Sequence, residues 1–225
     1  MCFSPEADIV AGIVVSGIGV DALRQVRETK EYPLAALPLL LGTHLLVETF
    51  VWWGEAGQVT EFVGQAAVWL YLAFALGVLP ILVPAAILAI EPEEHRRRWL
   101  VSFLVIGAGV AAFYIAGVVT GPVGAVVEGC CLAYDTGPGY SPMLGALYVV
   151  VTCFPLLVSS HRRIVAFGLI NLPAVVLIGW LLASNLASLW CAWAAVTSVL
   201  IALHLRRDGE LRSKQAPIRS NTVAT

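Results

Sequence analysis

The sequence predicts an all-α integral membrane protein, a bundle of seven transmembrane helices with its amino terminus outside the cytoplasm and its carboxyl terminus inside. Composition is the first observation, because 59% of the 225 residues are hydrophobic and only 12% are charged, a balance typical of lipid-embedded chains. Second, seven apolar stretches come close to the roughly 20 residues that a helix needs to cross a bilayer. Third, the 13 lysines and arginines all lie after every second stretch, namely the first, third, fifth and seventh.

The predicted spans are joined by short connections, except for one outer loop, so consecutive helices are expected to be antiparallel neighbours. Ser4 provides an N-cap for the first span, and Pro5 occupies its first helical position. Pro80 and Pro84 predict a kink in the third span. The seven spans cover residues 5–23, 34–53, 62–90, 99–119, 143–159, 164–182 and 186–205.

Lysine and arginine predict the orientation, because short loops that are rich in them stay in the cytoplasm. The basic residues form four clusters, at 24–30, 96–98, 162–163 and 206–219, whereas the segments 1–4, 54–61, 120–142 and 183–185 contain none. This alternation predicts a plasma-membrane protein whose main partner is the lipid bilayer.

The first span is less secure than the others, because its apolar run is short and ends at Asp21. If it lies in the membrane interface instead, the bundle has six spans and the amino terminus is inside. Residues 1–205 are predicted to form one transmembrane domain with an outer loop at 120–142. The basic tail, 206–225, is predicted to be disordered and cytoplasmic.

The second span contains two ionisable residues, His44 and Glu48. Four residues apart, they share one helix face in the outer half of the span. An ionised carboxylate costs about 2.5 kcal/mol or more near the bilayer centre, so Glu48 is expected to face the bundle interior or water. The pair predicts proton exchange, metal binding or ligand binding; alternatively, it forms a structural hydrogen bond, with Glu48 near enough to the interface to be hydrated.

Polar and aromatic residues at the outer ends of the spans extend this candidate pocket. Indole rings favour the membrane interface, so the tryptophans fit either a pocket wall or interfacial anchoring. Cys191 lies at a similar depth, and with His44 and Glu48 it would supply the three protein ligands of a catalytic metal site. The predicted ligand or proton pocket comprises His44, Glu48, Trp52, Asn185, Trp190 and Trp193.

The outer loop predicts a hairpin of two apolar runs that turn at Glu128-Gly129 and fold over the mouth of the bundle. Cys130 and Cys131 in this loop, like Cys2, are predicted to lie outside the cytoplasm, where thiols can be oxidised. Two interpretations fit. A disulfide from Cys2 to either loop cysteine joins the terminus to the hairpin, or the thiols are unpaired and buried.

Several function classes are excluded by what the sequence lacks. The only lysines, Lys30 and Lys214, lie outside the spans, so a retinal Schiff base cannot form. No nucleophile elbow, zincin motif or P-loop is present. The net charge of −2 gives no general attraction to nucleic acid.

Three motifs carry a resemblance to a known family. They are the opening Met1-Cys2-Phe3-Ser4, the second-span pattern Gly42-x-His44 with Glu48-x-x-Val51-Trp52, and the late stretch Ser188-Leu189-Trp190-Cys191-Ala192-Trp193. Together they resemble an uncharacterised bacterial family of small multipass membrane proteins that begin Met-Cys-Phe-Ser. The resemblance implies a multipass membrane protein of unknown function, and it brings no catalytic residues or cofactor.

Three functional hypotheses fit these observations. The first is a small-molecule or ion sensor or carrier with an outward-facing polar pocket at His44 and Glu48. The second is a membrane-embedded, metal- or haem-dependent redox enzyme that uses His44, Glu48 and Cys191. The third is a structural or partner-binding membrane subunit whose polar residues specify packing. The sequence identifies no cofactor and no oligomeric state, and it does not decide whether the chain is an enzyme.

Overall fold

The structure, a computed structural model, is a helical bundle with one β-hairpin. It describes residues 4–128, 131–135, 142–181, 189, 193–195, 197–198, 200 and 202–203. In chain order the helices and strands are α1 (Pro5–Arg24), a 3₁₀ turn (Thr29–Glu31), α2 (Tyr32–Glu55), α3 (Glu61–Leu72), a π-helical turn (Ala73–Val78), α4 (Leu79–Ile90), α5 (Glu94–Thr120), β1 (Gly124–Glu128), β2 (Cys131–Asp135), α6 (Pro142–Val158) and α7 (Arg162–Leu181).

Among the residues that the structure describes, four helical segments are long and apolar enough to cross a membrane: Thr29–Glu55, Glu61–Ile90, Glu94–Thr120 and Arg162–Gly179. They coincide with the second, third, fourth and sixth predicted spans. The fifth predicted span corresponds to the shorter apolar helix α6, and the first corresponds to α1. Most of the seventh predicted span and the whole basic tail lie outside the described residues.

Polar and apolar side chains are distributed as expected for a protein in lipid. Large hydrophobic side chains cover the outer faces of the helices, among them Val105 on α5 and Val176 on α7. Several ionisable or polar side chains are buried instead, namely Asp8, His44, Glu48, Thr49, Glu91, Thr152 and Asn171. Lipid accepts the apolar exterior without cost, whereas buried polar groups need partners within the bundle.

Helix α1 packs antiparallel along α2 at very short range. A Cβ atom on Gly42 would lie 2.5 Å from the backbone nitrogen of Ser16, and one on Gly12 would lie 2.6 Å from Leu46. Further along the pair, Gly19 packs against the backbone of Leu39. Small residues therefore bring the two backbones together, as is common between membrane helices.

The third predicted span is a continuous helical segment with an internal irregularity. The π-helical turn Ala73–Val78 separates α3 from α4, and Pro80 is the second residue of α4. The Tyr148 hydroxyl of α6 donates a hydrogen bond of 2.5 Å to the carbonyl of Ala75 in this turn. A side chain from another helix thus binds a backbone group where the regular helical pattern is interrupted.

The basic loops meet at one end of the bundle. Arg96 donates to the carbonyls of Val158 and Ser159, and Arg97 donates to the carbonyls of Leu88 and Glu91. The buried carboxylate of Glu91 accepts hydrogen bonds from the backbone amides of Glu93 and Ser160. These bonds join the α4–α5 connection to the α6–α7 connection and satisfy carbonyls at the ends of α4 and α6.

The predicted hairpin of the outer loop is confirmed, and it lies at the other end of the bundle. Strands β1 and β2 pair antiparallel, from Gly124 opposite Asp135 to Glu128 opposite Cys131. The strands pack against the outer ends of α2 and α3. The hairpin therefore lies above the half of α2 that carries His44 and Glu48.

Replacement of Gly42 by alanine is expected to lower the stability of the bundle by about 1–3 kcal/mol, because the new methyl group would overlap the backbone of Ser16. Gly109→Ala on α5 is the matched control, since no atom lies within 4 Å of the added Cβ. It should be neutral or stabilising by roughly 0.5–1 kcal/mol, the helix propensity gained. Thermal unfolding of both variants in detergent measures the difference, and equal melting temperatures would contradict the close packing.

Candidate functional site

Helix α2 buries two ionisable residues, His44 and Glu48, on one face. The side chains of His44 and Glu48 are 3% and 1% exposed, respectively. Their spacing of four residues places Glu48 about 6 Å along the helix axis from His44, toward the outer end. The predicted orientation of Glu48 toward the bundle interior is thus observed, and neither residue faces lipid.

Three rings form a continuous stack beside Glu48. The imidazole of His44 stacks on Tyr71, with ring centroids 4.0 Å apart and planes 20° apart. The other neighbour of Tyr71 is Tyr134 of β2, at 4.3 Å and 7°. Phe74, in the π-helical turn, lies 4.7 Å from His44. The stack joins α2, α3 and the hairpin through one fully buried tyrosine, Tyr71.

The hairpin also reaches the carboxylate directly. The Tyr134 hydroxyl donates a hydrogen bond of 3.4 Å to Oε1 of Glu48. A second link holds the base of the hairpin, where Nε2 of Gln65 on α3 donates to the carbonyl of Val123 at 3.1 Å. Glu48 and His44 therefore lie beneath the hairpin, and the outward opening of the predicted pocket stays a prediction.

A second carboxylate lies close to the cluster at its outer side. Nε1 of Trp52 donates a hydrogen bond of 3.0 Å to Oδ2 of Asp8 on α1, and Asp8 is 2% exposed. Trp52 follows Glu48 by about one helical turn, so the indole joins Asp8 to the part of α2 that lies beyond Glu48. The first helix therefore contributes to the site through Asp8.

His44 has one polar atom that the surrounding residues do not satisfy. Among the described residues, its buried Nε2 has no hydrogen-bond partner. Buried polar atoms without a partner are rare and usually mark a site for water, an ion or a ligand. The cluster thus combines a carboxylate, a phenol and an imidazole, groups that can exchange protons or bind a cation.

An apolar cavity lies on the same face of α2, one to two turns below His44. It has a volume of about 50 Å³ and is lined by Leu37 and Leu41 together with residues of α4, α6 and α7. Asn171 and Thr152 are its polar lining residues, and both donate hydrogen bonds to backbone carbonyls of their own helices. The cavity therefore offers space to an apolar group, since its polar atoms are already satisfied.

The remaining predicted site residues fall into two groups. Trp193 is described, and its side chain is 40% exposed. Asn185, Trp190 and Cys191 lie outside the described residues, so their part in the pocket stays a prediction. The same holds for the metal site of His44, Glu48 and Cys191; among the described residues no group of three metal-binding side chains occurs.

The predicted disulfide also stays a prediction. Cys131 begins strand β2 and is buried, whereas Cys2 and Cys130 lie outside the described residues.

The sequence analysis missed four residues of the site: Asp8, Tyr71, Phe74 and Tyr134. A signal existed for Tyr71 and Phe74, because they are aromatic residues in an otherwise aliphatic part of the third span. Asp8 was interpretable only as an acidic residue in the first turn of a helix. Tyr134 had no signal, since its contact with Glu48 joins residues 86 positions apart.

Comparison with known families covers nearly the whole chain. A model of the family of unknown function DUF6629 matches residues 1–216. The chain belongs to this family. No curated protein and no solved structure matches it. Membership of DUF6629 agrees with the resemblance to an uncharacterised family, and the site of this DUF6629 chain has to be interpreted from its own geometry.

Tyr134→Phe should loosen the hairpin of this DUF6629 chain, because it removes the hydrogen bond to Glu48 but keeps the ring that stacks on Tyr71. A hydrogen bond to a charged group contributes about 1.5 kcal/mol, so amide exchange across residues 124–135 should accelerate roughly tenfold. Hydrogen–deuterium exchange with mass spectrometry measures this. Tyr148→Phe, which loses a hydrogen bond to Ala75 inside the bundle, is the control and should leave hairpin exchange unchanged.

Proposed function

We propose that the chain is a seven-span plasma-membrane protein that senses or carries a small molecule or ion at the cluster around Glu48. Contacts between α1 and α2 support the first span, because α1 runs antiparallel to α2 from Asp8 beside Trp52 to Gly19 beside Leu39. A helix that lies in the interface would instead cross a spanning helix at a steep angle. The exposed face of α1 is also apolar from Val10 to Val20, as lipid contact requires.

Charge supports the orientation. Lys30 and the arginines near it lie at the same end as the 96–98 and 162–163 clusters, since the 3₁₀ turn contacts α4 and Arg96 bonds the α6–α7 connection. The opposite end, with the hairpin, carries acidic residues and no lysine or arginine. By the positive-inside rule, the end with the hairpin faces outward.

An impermeant amine-reactive reagent applied to intact cells should label Gln58→Lys in the connection between α2 and α3 and leave the native Lys30 unmodified. Glu6→Lys at the start of α1 should also be labelled if that helix spans the membrane. Peptide mapping by mass spectrometry identifies the modified residues. Labelling of Lys30 would reverse the orientation, and a protected Glu6→Lys beside a labelled Gln58→Lys would place α1 on the inner surface.

The observation that carries the function is the burial of Glu48 beneath the hairpin. A carboxylate inside a membrane bundle is costly and rare, and such residues usually mark ion pathways, proton relays or ligand sites. A second buried carboxylate, Glu91, shows the contrast, because two backbone amides bind it at a helix connection. Glu48 instead lies within α2, away from any helix connection, where it has aromatic rings beside it and accepts a hydrogen bond from the Tyr134 hydroxyl.

Glu48→Gln is expected to abolish ligand binding while leaving a folded bundle, because glutamine keeps the shape of the side chain and loses its charge. Glu91→Gln is the matched control at the opposite end. Purified variants are compared by thermal unfolding in the presence of sodium, potassium, zinc, short-chain amines and short-chain carboxylic acids, at neutral and mildly acidic pH. A ligand at about 100 times its Kd adds about 2.7 kcal/mol and should raise the melting temperature by roughly 5–10 °C.

The proposal predicts that some condition stabilises the wild type and Glu91→Gln but not Glu48→Gln. If Glu48→Gln responds to every ligand as the wild type does, Glu48 is not the binding group. If no condition shifts any variant and both substitutions only lower the melting temperature, the buried residues specify packing, and the structural hypothesis replaces this one.

A further inference from the structure

We infer that the ligand of the Glu48 site is a small protonated alkylamine, bound through its N–H groups by Glu48 and His44 and through its carbon atoms by the surrounding rings. This inference rests on the proposed function and names its ligand class. Four features of the cluster support it: the acceptors, the ring faces, the acidic outer end and the nearby apolar cavity.

The polar atoms of the cluster favour a donor with a positive charge. Glu48 is an acceptor when ionised, and Nε2 of His44 is an acceptor in the tautomer that carries its proton on Nδ1. That nitrogen is buried without a hydrogen-bond partner among the described residues. An ammonium group offers up to three N–H donors and no acceptor, so it matches two acceptors that share one helix face.

The rings favour an organic cation over a metal ion. Sodium, magnesium and calcium prefer several oxygen ligands, and zinc usually takes three or four protein ligands. Among the described residues the cluster offers fewer, and the side chains that flank His44 and Tyr71 are aromatic: Phe74 and Tyr134. Aromatic faces attract cations whose charge is spread toward carbon-bound hydrogens, as in alkylammonium groups.

Long-range electrostatics at the outer end favour the approach of a cation. Glu55, Glu61, Glu128 and Asp135 lie near this end, and the sequence contains no lysine or arginine between Lys30 and Arg96 or between Arg98 and Arg162. A region lined by one sign of charge raises the local concentration of opposite charges.

The apolar cavity below His44 suggests how the rest of the ligand is held. Its volume of about 50 Å³ is enough for roughly two methylene groups, and it lies on the same face of α2 as His44, where Leu37 and Leu41 line it. A bare inorganic cation would make no use of this space.

Entry of the ligand requires the hairpin to move, because Tyr134 occupies Oε1 of Glu48 and covers Tyr71. The amine would take the place of the Tyr134 hydroxyl on the carboxylate. Tyr134 is therefore a competing group, and weakening its bond should favour the ligand. A substitution that removes the Tyr134 hydroxyl should therefore strengthen ligand binding, whereas damage to the site would weaken it.

Butylamine is the probe, with 1-butanol as its uncharged analogue and butyltrimethylammonium as a cation without N–H donors. Binding is measured by isothermal titration calorimetry and by thermal unfolding of the full chain in lipid nanodiscs. Butylamine should bind the wild type and Glu91→Gln, fail to bind Glu48→Gln, and bind His44→Phe at least tenfold more weakly. Tyr134→Phe should bind it several-fold more tightly than the wild type.

Equal shifts with 1-butanol or butyltrimethylammonium would overturn the inference, because N–H recognition would play no part. A response to zinc or sodium that depends on Glu48, with none to butylamine, would overturn it and leave the proposed function standing. Loss of every response that depends on Glu48 would remove both. If Glu48→Gln does not fold, unchanged or weaker butylamine binding by Tyr134→Phe contradicts the inference by itself.

Discussion

Polar atoms within a bilayer have to be satisfied by the protein, and this constraint governs both ends of the bundle. At the basic end, Glu91 and the two arginines that follow it bind backbone groups at helix ends, so they join two connections that are far apart in sequence. At the opposite end, Glu48 accepts a hydrogen bond from a hairpin that folds back over α2. The same requirement therefore produces a network of hydrogen bonds to backbone groups at the basic end and a covering hairpin at the other end.

Tyr71 has a central place in the outer half. It lies between the ring of His44 and the ring of Tyr134, so α2, α3 and β2 meet at a single side chain. Stacked rings bury apolar surface and favour particular ring arrangements. The hairpin is thus held by the ring of Tyr134 on Tyr71 and by the hydrogen bond from Tyr134 to Glu48.

Much of the fold could be predicted from local sequence, because the length, hydropathy and charge of a segment depend only on its own residues. Helix existence, four of the spans and the hairpin in the outer loop follow from such patterns. For His44 and Glu48 the sequence predicted one shared helix face, with Glu48 toward the bundle interior or water, since an ionised residue in lipid is costly. Their partners could not be predicted, because Tyr71 and Tyr134 come near only through the arrangement of helices and strands in space.

The π-helical turn Ala73–Val78 has a consequence for the geometry of the long segment that contains it. One additional residue in a turn shifts the helix phase by about 100°. Buried residues before the turn include Val68 and Tyr71, whereas those after it, such as Leu79 and Val83, recur about one position later than a regular period from Tyr71 predicts. The additional residue thus rotates the buried face of the second half of the segment relative to that of the first half. The first half places Tyr71 against the hairpin, and the second half places Leu79 and Val83 against the apolar cavity.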